Sequence, residues 1–351
     1  MAIEIIGTGM AVPSRKVSND ELASWVDTSD EWIRSHTGIG NRYIADEDTA
    51  TSDLATEAAK NALAMAAGFA GNAKSDAAER DRRAAEAAKT IDVIILATVT
   101  PDFNGCPSTS CIVQDNLGAE NAAAMDIVAG CTGFVYGIET AAGLLAVSGE
   151  RKRALVIGAE VFSKTVDWSD RSVCVLFGDG AGAVVIEKTG ASSEGDGRRG
   201  IVRTVLKADG SGKHSLIFRK GGSRNPFKAG EVIDKPPGLE MNGQEVYNFA
   251  VKAVTDTAKM LMDADGITAD DIAWIIPHQA NARIVAAAGK RLKIPAEKMF
   301  LNIEEYANTS AASIPIALDE LNRAGKLKKG DVIMTIGFGA GLTYGGNIII
   351  W

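Results

Sequence analysis

Cysteine is scarce. The 351 residues hold four: Cys106, Cys111, Cys131 and Cys174. So few thiols, unevenly spaced, exclude a disulfide scaffold and point to a reduced, cytoplasmic protein. Histidine is scarcer still, at His36, His214 and His278. With Cys106-x4-Cys111 lacking a matching second pair, no metal site is expected. Positive charge is in deficit: 37 Lys and Arg face 45 Asp and Glu, a net charge of −8. That disfavours bulk binding to nucleic acid or to an anionic membrane, so an acidic partner would need a local basic patch. The chain shows no uninterrupted apolar run long enough to cross a bilayer. Its first residues, Met1 to Ile5, lack the basic and apolar regions of a secretory signal.

What is plentiful is small and apolar. Hydrophobic residues make up 46% of the chain, and there are 37 glycines. Strand-like runs alternate with helical ones, which predicts an α/β fold with mixed, helix-covered sheets. Ala2–Ile6 reads as a strand running into Gly7-Thr8-Gly9, where Val12-Pro13 speaks against a dinucleotide fingerprint. Ser18-x-x-Glu21 and Thr28-x-x-Glu31 have capping-box spacing and predict two helix starts. Residues 71–90 read as a partly helical surface insertion. Ile91–Val99, Arg153–Gly158, Val173–Phe177, Ala183–Glu187, Ile201–Asp209 and Asp271–Ile276 read as strands. Cys111 and Cys174 fall among apolar neighbours and read as core.

The centre of interest is Val128-Ala129-Gly130-Cys131-Thr132-Gly133-Phe134. It reads as strand, tight turn and helix, with Cys131 at the turn. Unpaired N–H groups and the dipole of a helix start favour a thiolate. Gly130 and Gly133 are expected to let a substrate approach closely. His278 follows a strand in Pro277-His278-Gln279-Ala280-Asn281, where sites gather in α/β folds. Asn308 opens another small-residue helix and by itself reads as a cap. The halves echo each other: Ile91–Leu96 resembles Asp271–Ile276 at an offset of about 180 residues, and Gly178–Gly182 resembles Gly339–Gly341. Two related α/β halves, 1–190 and 191–351, are therefore expected to face each other across a shared site.

A Cys at one helix start, a His after a strand and an Asn at a later helix start fit covalent thioester chemistry. Together with Thr28–Ile33, Phe177–Ala183, Asn308–Ser313 and Gly337–Gly339, they make the chain from Ala2 to Trp351 resemble β-ketoacyl-acyl-carrier-protein synthase III, a family of thiolase-like condensing enzymes. The resemblance implies a thiolase-like five-layered αβαβα fold from two duplicated halves. It also implies a homodimer and a decarboxylative condensation of an acyl-CoA primer with malonyl-acyl-carrier protein. Cys131 would carry the acyl group, and His278 and Asn308 would hold the enolate oxygen. Backbone N–H groups at Cys131 and at Ala340, in the Gly339–Gly341 turn, would hold the second oxyanion. No resident cofactor is implied, because acyl-CoA is a substrate.

Further residues carry over one by one. Trp32 alone is either a packed aromatic or a stacking platform; the resemblance pairs it with Arg171 as an adenine clamp. Tyr247 stands where the family usually has Phe lining its channel, and Asn281 lies near the CoA arm. Arg283, Lys290 and Arg291 share a helical face, which the resemblance assigns to the acidic carrier protein. The chain also departs from the pattern. His36 replaces a common Arg near CoA, with Arg34 as a substitute, and Ala340 replaces a common Gly. Cys106 stands where relatives place a Phe that limits the acyl pocket from the partner subunit, so a primer longer or more branched than acetyl is expected. Two other readings compete. One is a Cys-His-Asn acyltransferase or condensing enzyme of secondary metabolism. The other is a silent partner that only binds carrier protein, which the intact triad disfavours.

Overall fold

The computed structural model describes residues 2–71, 76–190, 198–233 and 238–351. Two mixed sheets carry the fold. The first holds β1 (Ala2–Ala11), β2 (Val93–Ala97), β3 (Ala123–Ile127), β4 (Arg153–Glu160) and β5 (Gly180–Thr189), in the order β1-β5-β4-β2-β3. The second holds β6 (Gly200–Ala208), β7 (Ile272–Pro277), β8 (Val332–Gly339) and β9 (Thr343–Ile350), in the order β7-β8-β9-β6. In each sheet the first strand is antiparallel to the last, the last antiparallel to its predecessor, and the next pairing is parallel. Where the first sheet continues to β3, the second offers, among the described residues, only the parallel bridge Ile275–Met299. The echo read in the sequence is thus a repeat of strand order and direction. The expected boundary at 190/191 adjoins residues 191–197, which lie outside the described residues.

The eight helices of eight or more residues among the described residues are α1 (Asp30–Thr37), α2 (Thr51–Ala66), α3 (Ala77–Ala88), α4 (Thr109–Leu117), α5 (Gly133–Val147), α6 (Gly243–Asp265), α7 (Ala282–Leu292) and α8 (Ser313–Arg323). Seven of them form three layers, while Ile33 of α1 packs in a separate cluster with Leu22, Phe162 and Val173. Ala55, Ala58, Ala59, Ala62 and Leu63 of α2 pack with Ile94, Leu96, Leu155 and Ile157 on the outer face of the first sheet. Phe134, Ile138 and Leu145 of α5 and Ile314, Leu318 and Leu321 of α8 fill the space between the sheets, against Ile95, Val156, Ile276 and Ile333. Val254, Ala258 and Leu261 of α6 and Ile284, Val285 and Ala288 of α7 cover the far face of the second sheet. The result is the five-layered αβαβα arrangement. Each layer buries an apolar face that its sequence period marks out.

Several local readings are corrected. The first strand does not stop at Ile6: Gly7 and Gly9 lie inside β1, where a Cβ on Gly9 would meet Ala58 O and Ala62 N of α2, each at 2.4 Å. The cap of α1 is Ser29, whose Oγ accepts from Trp32 N at 3.1 Å, one residue later than Thr28. Val173–Phe177 is buried but is not a strand. Val173 N and Cys174 N donate to Asp170 O and Leu176 N to Val173 O, so local turns satisfy the backbone. Cys111 is exposed on α4, whereas Cys174 is buried. The stretch Gly130–Val147 does reach the length and hydropathy of a membrane span, but it is mostly buried, as the central helix between two sheets must be. Residues 77–88 form the helix α3 within the 71–90 stretch, and residues 72–75 lie outside the described ones.

Candidate active site

Cys131 sits in the 3₁₀ turn Gly130–Thr132 that leads into α5. The turn is held tightly. Gly130 has φ +54°, and a Cβ there would meet Ala340 N at 2.7 Å; a Cβ on Gly133 would meet Ala97 Cβ at 2.7 Å. These glycines therefore make close contacts within the protein, and Gly130 also lines the second of the cavities described below. Gly339 closes the other side: its Cβ would stand 2.4 Å from Cys131 N. Thr343 Oγ1 donates to Ala129 O at 2.7 Å and ties β9 to the same turn.

The thiol does not rest as a thiolate. Burial pushes Cys131 up to about 12, and the nearby Glu160 charge adds to the rise. Desolvation outweighs the helix start because the side chain is almost fully enclosed.

His278 follows β7, and its N–H donates to Ile336 O at 2.7 Å. Its Nδ1 lies 2.7 Å from Ser313 Oγ, which also takes Gln279 N–H at 3.4 Å. When the serine hydroxyl donates to Nδ1, the neutral ring carries its proton on Nε2. Burial drives His278 down to about 3, so the ring is neutral. Asn308 is reached from the other half: its N–H donates to Leu176 O and its carbonyl accepts from Gly178 N. Ser310 N donates to Asn308 Oδ1 at 2.8 Å, which leaves the amide NH₂ for a ligand. This is cap-like, although the 3₁₀ turn Ser310–Ala312 separates Asn308 from α8.

The three side chains line one cavity of about 210 Å³, with Phe177, Tyr247, Phe249, Phe338 and Leu342 among its apolar walls. Asn281 and Arg283 line it as well. A second cavity of about 440 Å³ opens on the other side of Cys131, walled by Val99, Val128, Phe162, Phe218, Leu239 and Ala340. Cys131 and Phe177 line both. The thiol is therefore placed between a polar-ended channel and an apolar pocket.

At the mouth, Trp32 is partly exposed and stacks on His36 at 4.5 Å. The Arg171 guanidinium lies 5.9 Å from the Trp32 ring and donates to Asp27 O at 2.8 Å. Asn281 caps α7 by accepting from Arg283 N at 2.8 Å and donates to His36 O at 3.0 Å. Its amide thus already joins α1 to α7. Arg34 does not stand in for the missing Arg: its side chain is taken by Asp30 and Glu304. Arg283, Lys290 and Arg291 are exposed along α7. Cys106 is exposed and lines neither of the two cavities.

Comparison with known proteins decides the family. Residues 125–210 match the model of 3-oxoacyl-[acyl-carrier-protein] synthase III, and residues 262–351 that of its C-terminal part. A β-ketoacyl-[acyl-carrier-protein] synthase III of Caldanaerobacter subterraneus subsp. tengcongensis is 47% identical over all of this chain and 98% of its own. The chain belongs to the β-ketoacyl-[acyl-carrier-protein] synthase III family. Solved structures agree. The 3-oxoacyl-[acyl-carrier-protein] synthase III of Aquifex aeolicus VF5 superposes with a TM-score of 0.83, at 40% identity and full coverage of both chains. The Thermus thermophilus enzyme gives 0.85 at 38% identity over 99% of each. The thiolase-like fold of these synthases is the two-sheet, five-layer arrangement described above.

Three polar residues around the synthase III site escape the sequence reading. Glu160 ends the buried strand β4 and is itself fully buried. Ser310 opens the 3₁₀ turn after Asn308, and Ser313 follows it as the first residue of α8. The one available signal was an acid closing the otherwise apolar run Ala154–Ala159.

Proposed function

We propose that this chain condenses an acyl-CoA primer with malonyl-acyl-carrier protein, releasing CO₂ and CoA and giving a 3-oxoacyl-carrier protein, the step that initiates fatty acid synthesis. The observation that carries this reading is the convergence of Cys131, His278 and Asn308 on one channel, with Cys131 also facing an apolar pocket. The thiol attacks the primer thioester, and the acyl chain lies in the apolar pocket. Malonyl-carrier protein then enters by the channel. Loss of CO₂ leaves an enolate, whose oxygen takes hydrogen bonds from His278 Nε2–H and Asn308 Nδ2–H. The enolate carbon attacks the acyl carbonyl, whose oxygen is held by the backbone N–H groups of Cys131 and Ala340. Every step uses side-chain or backbone groups, and no cofactor is needed.

The surroundings suit these substrates. Trp32 and Arg171 form the adenine clamp, Tyr247 and Asn281 line the CoA arm's path, and the exposed Arg283, Lys290 and Arg291 receive the acidic carrier protein, which answers the negative net charge. The edge strand β3 carries the exposed Met125, followed by the exposed Val128, and this supports a second copy of the chain at that edge in the cytoplasm. There Cys106 would reach the partner's acyl pocket. Its small side chain and the 440 Å³ pocket favour a primer longer or more branched than acetyl. Mass spectrometry of products from acetyl-, isobutyryl- and octanoyl-CoA with malonyl-carrier protein tests this. Condensation with a preference for the longer primers is expected; a strong acetyl preference refutes the primer assignment, and absence of any 3-oxoacyl product refutes the function.

A further inference from the structure

Glu160 has no part in the condensation just described, yet it reaches Asn308 from the opposite half of the molecule. It is fully buried at the end of β4. One carboxylate oxygen, Oε2, accepts from Thr98 Oγ1 (3.1 Å), Val99 N (3.1 Å), Thr100 N (3.1 Å) and Thr100 Oγ1 (2.7 Å), which anchors it to the first half. The other, Oε1, accepts from Ser310 Oγ at 3.0 Å. The same serine donates its backbone N–H to Asn308 Oδ1 at 2.8 Å. Because that partner is a donor, the amide atom facing it is the oxygen, and the NH₂ is left for the channel that Asn308 lines. Ser310 stands at φ +48°, a left-handed conformation that a residue with a Cβ keeps only where its surroundings impose it. Gly158 lies two residues before Glu160, on the same face of the strand, and a Cβ there would overlap Ala311 O. The turn Ser310–Ala312 is therefore pressed against β4, with Glu160 hydrogen-bonded to its first residue.

We propose that Glu160, acting through Ser310, fixes the amide of Asn308 for the decarboxylation step, which makes Glu160 and Ser310 positioning residues. The inference rests on the proposed function, in which Asn308 Nδ2–H holds the enolate oxygen. Ser310 is the hinge of the device. With its Oγ tethered to Glu160 Oε1, the left-handed backbone lays its N–H on Asn308 Oδ1. Without the tether, a residue with a Cβ relaxes toward negative φ. That turns its N–H away from Oδ1, and the amide is free to swing its NH₂ out of the channel. A donor to a developing oxyanion works because it is already in place when the charge appears. A displacement of about 1 Å costs about 10²-fold in rate. The tether needs a hydrogen bond and not a charge. Glu160→Gln keeps an oxygen for Thr98, Val99 and Thr100 and turns its NH₂ to Ser310 Oγ, so the serine stays tied.

The test is release of labelled CO₂ from malonyl-carrier protein by the full chain, with no primer present, so that acylation of the thiol takes no part. Wild type is compared with Ser310→Ala, Ser310→Gly and Glu160→Gln. Ser310→Ala loses the tether and keeps a Cβ, and its kcat should fall about 10- to 10²-fold with KM unchanged. Ser310→Gly loses the same hydroxyl, but glycine takes a positive φ without steric cost, so it should be faster than Ser310→Ala by about 10-fold. Glu160→Gln should stay within about 3-fold of wild type. In an Asn308→Ala background, Ser310→Ala should lower the rate no further, since the group it positions is gone. A serine that only stabilises the fold would give equal losses in Ser310→Ala and Ser310→Gly, and losses that add to that of Asn308→Ala. Either result overturns the proposal, as does an Ser310→Ala rate equal to wild type. The two Ser310 variants decide the matter if Glu160→Gln does not fold. A wild-type chain that acyl-CoA labels at Cys131, yet that releases no CO₂ from malonyl-carrier protein, overturns the proposed function instead.

Discussion

At the scale of single residues, burial decides what the proposed mechanism can ask of His278. Burial holds His278 neutral, and in the proposed condensation it serves as a hydrogen-bond donor to the enolate. Replacing His278 or Asn308 by Ala should lower malonyl-carrier decarboxylation by about 10²–10³-fold each, measured as release of labelled CO₂. Because burial holds His278 near 3, the wild-type decarboxylation rate should stay flat through the usual histidine range. An inflection near about 6.5 would show a ring that titrates normally. Cys131, His278 and Asn308 were legible because each is a rare or cap-forming residue at the end of a patterned element. Glu160 and Ser310 were not, because their meaning lies in contacts 60 and 150 residues away, Thr100 to Glu160 and Ser310 to Glu160.

Elements here are set by how closely helices approach strands. In the first sheet, Gly9 accepts the backbone of α2 and Gly182 that of α8, with a Cβ there 2.7 Å from Ile316 N. Such spacing cannot be read from one sequence, since a glycine needed for packing looks like a glycine needed for a turn. The distinction is measurable. Gly9→Ala forces its Cβ into Ala58 O and Ala62 N and should destabilise the protein by about 1–3 kcal/mol. Gly143→Ala, on an exposed position of α5 with nothing within 4 Å, should instead stabilise it by about 0.5–1 kcal/mol. Urea denaturation of the two variants beside wild type checks both signs. The same limit explains Val173–Phe177, where an apolar run signalled burial correctly but strand incorrectly.

Considered as a whole molecule, the duplication was readable because both halves kept the same apolar runs, and the net charge posed a question that only a surface answers. If α7 receives the carrier protein, Lys290→Glu with Arg291→Glu should raise the KM for malonyl-carrier protein about 10-fold and leave acyl-CoA labelling of Cys131 unchanged. Added salt should shrink the difference. Steady-state kinetics with each substrate varied in turn tests this. The buried acid also links the fold to pH. Glu160 is raised from 4.5 to about 7 by desolvation, so between those values the unfolded chain gives up its proton while the folded one keeps it. Stability from this group is therefore complete below about 4.5 and is lost as pH rises through about 7. The shift corresponds to roughly 3 kcal/mol. Glu160→Gln cannot titrate, so wild type should lose stability relative to that variant between pH 4.5 and about 7 and keep a constant difference above it. Urea denaturation of both proteins at pH 5, 6, 7 and 8 (about the span of the transition) measures the difference directly. A difference that does not change with pH would mean that the carboxylate is already ionised at pH 5, and so never holds a proton near neutrality.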